Sequence, residues 1–316
     1  MKITALAGGI GASKLLLGLY RVMDPEDLTI IVNTGDDIDM HGLSISPDVD
    51  IVTYTLAGVV NPKTGWGYRD ETFQVLELLK GFGRAGWFQL GDKDFATHIH
   101  RTALIRRGNP LSQVTEAIRT SMGVKARILP MSDEMVCTMI DTYQGSIHLQ
   151  EYLVKFSTEP VISSITYVGS EEARPAPGVV EAIEAADGII LCPSNPLISI
   201  GPILSVRQIR QALVKRRSRV VAVSPIVGGK ALKGPLEKMM AQLKMECSAA
   251  GVAKTYRDIA ATFVLDTVDA AEKSAVEKLG MRAVVLPAVM NTLADKDRLA
   301  HGVLAQFARK AKRAHG

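Results

Sequence analysis

Four carboxylates lie within fifteen residues of the chain, in two polar segments that follow an apolar run. The segments are Asn33-Thr34-Gly35-Asp36-Asp37 and Ser46-Pro47-Asp48-Val49-Asp50. Carboxylates this crowded repel one another unless a cation lies between them. Mg²⁺ prefers oxygen ligands and often bridges to substrate phosphates, so the pattern predicts a magnesium site. The alternative is that these aspartates only cap helices and stabilise turns.

A glycine-rich segment near the N-terminus has the composition of a phosphate-binding turn. Gly8, Gly9 and Gly11 would let the backbone approach a phosphate, and the following helix would supply free N–H groups. Lys14 would add a positive charge. The segment departs from the dinucleotide motif because Lys14 replaces the third glycine, and from the Walker motif because the lysine follows Ser13. Phosphate binding is the prediction, and a tight turn without a ligand is the alternative.

Two later polar turns each follow a predicted strand. Pro193-Ser194-Asn195-Pro196 and Ser224-Pro225-Ile226 offer hydroxyl, amide and backbone N–H groups that can bind a phosphate or a base edge. Loops at the carboxyl ends of neighbouring strands face the usual ligand crevice of an open α/β sheet. We therefore expect Ser194, Asn195 and Ser224 to contact one extended anionic ligand. Each turn alone would be an ordinary loop.

The sequence contains no pattern for covalent catalysis. It has no G-x-S-x-G segment, and Cys137, Cys192 and Cys247 are far apart and have no obvious partner histidine. His98 and His100 would face different sides of a helix and could not share a zinc ion, so we interpret both as ordinary helix residues. Direct displacement assisted by a metal ion is therefore favoured.

The elements that must position these residues form an α/β pattern. An apolar run over residues 2–7, a helical pattern through Val22 and a second run from Leu28 to Val32 predict a parallel βαβ unit. Pro47, which has no N–H, and Asp48, which complements the helix dipole, predict a helix start. Helical spacing recurs over residues 71–82, 94–107 and 111–122.

The second half of the chain returns to the same pattern after an interruption. Residues 126–168 form short alternating stretches, which predict a small β-rich excursion from the main sheet. Strands follow at residues 188–192, 219–223, 262–265 and 283–286. We predict a Rossmann-like, doubly wound α/β fold with a mainly parallel sheet and helices on both faces. One domain would span residues 1–316, with an inserted helical and β-rich region over about 58–175.

The composition limits the classes of partner that we expect this protein to bind. Hydrophobic residues make up 47% of the chain, charged residues 22%, and the formal net charge is +4. Basic clusters at residues 215–219 and 309–313 lack interleaved aromatic residues, so we expect a solvated helix end and tail and no nucleic-acid partner. No apolar run reaches the length of a membrane span, and the apolar start is broken by glycines. We expect a cytoplasmic protein without a membrane partner.

Taken in order, these segments resemble the 2-phospho-L-lactate transferase family of coenzyme F(420) biosynthesis, from residue 1 to about residue 300. Each segment is weakly specific, whereas the ordered combination is highly specific. Leu286 to Leu293 fits the family pattern only loosely. The segments that carry the resemblance are Ala7-Gly8-Gly9-Ile10-Gly11 with Lys14, the two aspartate segments, Gly65-Trp66-Gly67, Trp87-Phe88-Gln89-Leu90-Gly91-Asp92-Lys93-Asp94 with Ala96-Thr97-His98, Leu129-Pro130-Met131-Ser132-Asp133, Pro193-Ser194-Asn195-Pro196 with Ser199-Ile200-Gly201, and Val223-Ser224-Pro225-Ile226.

The resemblance implies a magnesium-dependent transferase with two small-molecule substrates. The primary alcohol of 7,8-didemethyl-8-hydroxy-5-deazariboflavin would attack the phosphorus that carries the lactyl or enolpyruvyl group. The donor would be lactyl-2-diphospho-5'-guanosine or its enolpyruvyl counterpart, and GMP would leave. The family also suggests a homodimer.

The resemblance further assigns roles by motif position. Asp48 and Lys93 match the family's deazaflavin-contacting positions. We assign the metal ion to Asp37 and Asp48, with Asp36 and Asp50 as alternates, and catalysis to Asp48, Asp37 and Lys14. The residues expected to face the guanosine diphosphate are Gly8, Gly9, Gly11, Lys14, Ser194, Asn195 and Ser224.

Two other functions are considered. A non-catalytic nucleotide-binding regulatory protein of the same fold would share the glycine-rich opening but lack the Ser-Pro-Asp-x-Asp and Leu-Gly-Asp-x-Asp pair. A nicotinamide dehydrogenase is disfavoured because the second strand ends at Asn33, where such enzymes carry a ribose-binding carboxylate, and because the third glycine is absent.

Overall fold

A computed structural model describes the backbone of residues 1–313 and the side chains of residues 1–308. The basic cluster at residues 309–313 therefore lies outside the described side chains. In chain order the strands are β1 (Ile3–Ala7), β2 (Leu28–Val32), β3 (Ile38–Met40), β4 (Leu43–Ile45), β5 (Arg127–Pro130), β6 (Cys137–Thr142), β7 (Gly145–His148), β8 (Ile162–Val168), β9 (Gly188–Leu191), β10 (Val220–Val223), β11 (Ile226–Val227), β12 (Lys230–Ala231), β13 (Thr262–Leu265) and β14 (Arg282–Val285).

The α-helices alternate with these strands through most of the chain. They are α1 (Gly9–Val22), α2 (Pro47–Leu56), α3 (Gln74–Gly81), α4 (Asp92–Arg106), α5 (Leu111–Ser121), α6 (Val179–Ala185), α7 (Ile200–Ser205), α8 (Arg207–Lys215), α9 (Leu236–Gln242), α10 (Ala249–Tyr256), α11 (Lys273–Lys278) and α12 (Leu293–Arg313). Among the described residues, no helix has the length and apolar character needed to cross a membrane.

Seven strands form one parallel sheet in the order β14-β13-β10-β9-β1-β2-β5. The chain leaves β1 toward β2 on one side, and the later strand β9 pairs with β1 on the other side. The strand order therefore reverses at β1. In open α/β sheets, ligands bind in the crevice that such a reversal opens at the carboxyl ends of the strands.

Apolar residues cover both faces of this sheet, because alternate residues of a strand point to opposite sides. In β9, Ile189 and Leu191 join one core cluster, whereas Ile190 joins the other. The first cluster also contains residues of α6, α7, α8 and α10, and the second contains residues of α1, α2 and α12. The predicted doubly wound α/β fold is confirmed.

The region between α2 and α6 departs from the simple alternation. It contains α3, α4 and α5, followed by a separate antiparallel sheet in the order β7-β6-β8. Our assignment of all of residues 126–168 to a β-rich excursion was wrong for β5, which pairs in parallel with β2 at the edge of the main sheet. A four-residue strand is too short for its pattern to distinguish an edge strand of the main sheet from part of a separate hairpin.

Candidate functional site

A cavity of about 460 Å³ opens at the carboxyl ends of β1, β9 and β10. The turns after these strands line one side of it with Gly8, Pro193 and Pro225. Residues of α2 and α4 line another part, and the segment beyond β7 adds Leu149, Gln150, Leu153 and Val154. The cavity therefore lies between the main sheet and the inserted region.

Asp48, at the start of α2, is held at the centre of this arrangement by two hydrogen bonds. The backbone N–H of Gly9 donates to its Oδ1 at 2.7 Å, and the Nδ2 of Asn33 donates to its Oδ2 at 2.9 Å. Burial raises the pKa of Asp48 to about 6, although the bonds from Asn33 and Gly9 lower it. A carboxylate with such a pKa is mostly ionised at neutral pH and can still accept a proton.

Glycine is required where the first turn approaches Asp48 and the β9 loop. A Cβ on Gly8 would lie 2.5 Å from Asp48 Oδ2, and a Cβ on Gly11 would lie 2.4 Å from the carbonyl oxygen of Pro193. Gly9 has a φ of 72°, in the left-handed region that glycine tolerates. The glycine-rich segment is thus shaped both by its own turn and by close packing against the site.

Asp36 is the second carboxylate of the cavity. Its Oδ2 accepts a hydrogen bond from Gln150 Nε2 at 2.9 Å, and its Oδ1 accepts one from the same Asn33 Nδ2 at 3.3 Å. Burial, followed by repulsion from Asp48, raises the pKa of Asp36 well above its usual value. Two buried carboxylates therefore share one amide group, which leaves their charge incompletely balanced.

We expected Asp37 and Asp50 to lie with Asp36 and Asp48 as possible ligands of one cation, but the side chains of Asp37 and Asp50 are engaged elsewhere. The side chain of Asp37 is absent from the cavity wall, and its Oδ2 accepts a hydrogen bond from Ser46 Oγ at 2.7 Å. Its Oδ1 is enclosed without a hydrogen-bond partner. Asp50 lines the cavity, but both of its oxygens accept hydrogen bonds from the buried guanidinium of Arg101. The geometry favours the alternate Asp36 over Asp37 as a partner of Asp48 and disfavours Asp50 as a metal ligand.

The side chains alone do not complete a metal site. Among the described residues, no group of three or more His, Cys, Asp or Glu side chains is arranged to hold a metal ion. Asp36 and Asp48 nevertheless fit a hard cation, because both are acidic oxygen donors whose raised pKa values reflect unrelieved burial of charge. A cation here would need further ligands from substrate or water.

Two lysine side chains line another part of the cavity. Lys14 and Lys233 both line it, and the pKa of Lys14 is lowered by burial and then by repulsion from Lys233. Two lysines that repel each other across a cavity wall provide a site for a polyanion. Asp48 accepts a hydrogen bond from the N–H of Gly9 at the N-terminus of α1, and the remaining N–H groups of that first turn add a positive field beside the cavity.

The polar turns after β9 and β10 differ in whether their side chains reach the cavity. Ser194 lines the cavity, and its Oγ is buried without a hydrogen-bond partner, which suits a ligand contact. Asn195 also lines it, but its Oδ1 accepts from the N–H of Leu197 at 2.8 Å and so shapes its own turn. Ser224 is fully buried away from the cavity, where its Oγ donates to the carbonyl of Ile226. The structure does not place Ser224 where it could contact the expected ligand.

Lys93 lies outside the cavity wall. Its Nζ donates to the backbone carbonyls of Arg69 and Asp70, both at 2.7 Å. These bonds tie the start of α4 to the segment that carries Trp66 and Gly67, which do line the cavity. A deazaflavin contact by Lys93 stays a prediction.

An aromatic part of the cavity wall comes from α2 and the inserted region, from side chains to which the sequence analysis assigned no role. Tyr54 of α2, Trp66 and Phe88 line it, together with Asp94 and His98 one turn apart on α4. Burial raises the pKa of Asp94 to about 7 and lowers that of His98 to about 4. His98 lines the cavity whereas His100 is exposed, so the two histidines face different sides of α4, as predicted. Apolar patterning carried no signal for this wall, because its residues come from separate elements.

The chain is similar to known proteins in both sequence and fold. Residues 3–300 match the family model described as 2-phospho-L-lactate transferase CofD. A phosphoenolpyruvate transferase of Streptomyces griseus subsp. griseus is 46% identical over 296 residues, which cover 92% of this chain and 93% of that protein. A 2-phospho-L-lactate transferase of Methanosarcina acetivorans is 39% identical over 302 residues, which cover 96% of this chain and 98% of that protein.

A solved structure shares the fold at low sequence identity. A member of the UPF0052 family from Bacillus halodurans superposes with a TM-score of 0.64 at 16% identity, covering 96% of this chain and 98% of that one. At this identity the likeness supports the fold alone.

The close contact between Gly8 and Asp48 gives the first testable prediction. Gly8→Ala should lower the free energy of unfolding by about 1–3 kcal/mol, because the new methyl group would overlap the buried carboxylate. Urea unfolding followed by circular dichroism measures this. Gly81→Ala, at the end of α3 with nothing within 4 Å of the added carbon, is the matched control and should not be destabilised. Equal losses in the two variants would contradict crowding at Gly8.

Proposed function

This chain belongs to the 2-phospho-L-lactate transferase family, and we propose that it transfers a phospholactyl or phosphoenolpyruvyl group from a guanosine diphosphate donor to a deazaflavin alcohol. The acceptor is 7,8-didemethyl-8-hydroxy-5-deazariboflavin, and GMP is released. The observation that carries the proposal is Asp48, a buried carboxylate of raised pKa in a cavity that presents lysines and an aromatic wall. These are the features that an alcohol, a diphosphate and a heteroaromatic ring require.

The reaction requires one proton transfer and one displacement at phosphorus. The alcohol oxygen forms a bond to the phosphorus that bears the lactyl or enolpyruvyl group, and the bond from that phosphorus to the bridging oxygen breaks. Asp48 accepts the alcohol proton, since its pKa of about 6 matches the task of a general base near neutral pH. The electron pair of the broken bond leaves with GMP.

The departing phosphate needs its negative charge balanced. Lys14, Lys233 and the N-terminus of α1 lie on the wall where the diphosphate would bind, and preorganised positive groups of this kind stabilise developing charge. Asp36 would hold a magnesium ion together with oxygens of the diphosphate, which leaves Asp48 to accept the proton, and the ion would neutralise part of the diphosphate charge. Holding both substrates in one cavity also lowers the barrier by arranging them before reaction.

The regulatory alternative is not favoured. Relatives named as transferases match almost the whole chain, and Asp36 and Asp48 both face the cavity. A relative at 46% identity is named for the enolpyruvyl group and one at 39% for the lactyl group, so we expect the enolpyruvyl donor to react faster. The homodimer stays a prediction.

The central experiment is a turnover assay. Purified protein, Mg²⁺, the deazaflavin alcohol and either donor should yield GMP and the phosphodiester product, both identified by mass. Asp48→Asn should lower kcat by about 10²–10⁴-fold, the usual contribution of a general base. Asp39→Asn, in the exposed part of β3, is the control and should retain activity. No turnover by folded wild-type protein with either donor would refute the proposed function.

The acid limb of the pH profile tests the same residue. Because Asp48 must be ionised to accept a proton, kcat/KM should fall as the pH drops through about 6. Asp94, with a pKa of about 7, is the competing source of such a limb. The limb should therefore persist in Asp94→Asn. A limb that disappears in that variant would assign it to Asp94 and remove Asp48 as the titrating base.

Donor binding tests the two lysines. Lys14→Met and Lys233→Met should each raise the Kd of the guanosine diphosphate donor by about tenfold, because a charge-assisted contact contributes about 1.5–3 kcal/mol. Isothermal titration calorimetry measures this, and the Kd of the deazaflavin alcohol should stay unchanged. Lys63→Met, an exposed lysine outside the cavity wall, is the control. Donor affinity unaffected by both substitutions would place the diphosphate elsewhere.

A further inference from the structure

His98 is held by a buried ion pair that fixes which of its ring nitrogens carries the proton. Arg101 Nη1 lies 3.1 Å from His98 Nδ1, one helical turn away on α4. A guanidinium can only donate hydrogen bonds, so Nδ1 must be the bare, accepting nitrogen. The proton of the neutral imidazole is then on Nε2.

The arginine is itself fixed from the other side. Its Nη1 donates to Asp50 Oδ2 at 3.0 Å, and its Nη2 donates to Asp50 Oδ1. Arg101 is 1% exposed and Asp50 is 5% exposed, so the pair is enclosed. Enclosing an ion pair is costly unless its geometry is good, and such pairs are often retained because they specify one arrangement. Here the arrangement specified is that of the imidazole.

The protonated nitrogen of His98 has no partner within the protein. None of the described residues makes a hydrogen bond to Nε2, although the His98 residue as a whole is almost completely enclosed. His98 lines the cavity beside Asp94, Tyr54 and the aromatic side chains of Trp66 and Phe88. Because Nε2 makes no hydrogen bond to the described residues and His98 lines the cavity, this N–H can donate to an acceptor on a bound ligand.

We propose that His98 donates a hydrogen bond from Nε2 to a carbonyl oxygen of the bound deazaflavin ring, and that Arg101 and Asp50 are positioning residues for this donor. The inference rests on the proposed function, because it takes the deazaflavin alcohol as the acceptor substrate. A planar heteroaromatic ring fits a wall lined by Trp66 and Phe88, and its carbonyl oxygens can accept a hydrogen bond from an imidazole N–H. His98 cannot be the general base, since its accepting nitrogen is occupied by Arg101.

The first test separates binding from catalysis. His98→Phe keeps a ring but removes the donor, and should raise the KM of the deazaflavin alcohol by about tenfold while kcat and the KM of the guanosine donor change little. His98→Gln can accept from Arg101 with its oxygen and donate with its nitrogen, so it should restore most of the affinity. His100→Gln, exposed on the opposite side of α4, is the control. Wild-type affinity in His98→Phe would overturn the proposal.

The second test reads the tautomer directly. Nitrogen-15 correlation spectra of histidine-labelled protein should show His98, identified by its absence in His98→Gln, with a protonated Nε2 and a bare Nδ1. Adding the deazaflavin alcohol should shift Nε2 more than any other histidine nitrogen. Arg101→Lys, which cannot reach both Asp50 and His98 with a planar fork, should disturb the tautomer and raise the same KM. A protonated Nδ1 in the wild type would overturn the proposal.

Failure of the inference can be told apart from failure of the proposed function. If the folded wild-type protein does not bind the deazaflavin alcohol at all, both the proposed function and the role of His98 are refuted. If it binds and turns over the alcohol while Nε2 of His98 does not respond, only the role of His98 falls.

Discussion

The enclosure of two negative charges beside one neutral amide is the constraint on which the site depends. Asn33 donates to both Asp36 and Asp48, and its Oδ1 accepts from the N–H of Gly35, so one side chain sets the spacing of the carboxylates and the turn between them. Burial raises the pKa of both aspartates. At Asp48 the folded protein therefore binds more protons than the unfolded chain between about pH 4 and 6, so the free energy of unfolding falls as the pH rises through that window, and the raised pKa of Asp36 acts in the same direction. A cation or a positively charged ligand group would relieve the same repulsion.

Much of the frame that positions the site follows from local patterns. The strand at Leu28–Val32 and the start of α2 at Pro47 were predicted, because a buried parallel strand is an unbroken apolar run and proline has a defined place in a first helical turn. The proximity of Gly8, Gly9 and Asp48 was also predictable, since residues that follow strands of one parallel sheet gather at one edge.

What could not be predicted depends on contacts between distant parts of the chain. Asp50 looked like any other member of an acidic cluster, and only the fold brings Arg101, 51 residues later, against both of its oxygens. Gln150 reaches Asp36 across 114 residues, from a segment with no recognisable motif. For Ser224 the deciding contact is local. Its hydroxyl donates to the carbonyl of Ile226, two residues later, and is therefore not available to the ligand that we expected from the sequence. Local composition cannot show which of several possible partners a polar group has.

The pairing of β1 with β9 has a consequence for how the protein is made. The N–H of Lys2 donates to Asp187, 185 residues later, so the first strand has a neighbour on that side only after more than half of the chain has been synthesised. Closing so long a loop is entropically costly and slows folding. Until β9 has been synthesised, the early βαβ unit therefore has an unpaired strand edge at β1, and such edges favour aggregation during folding.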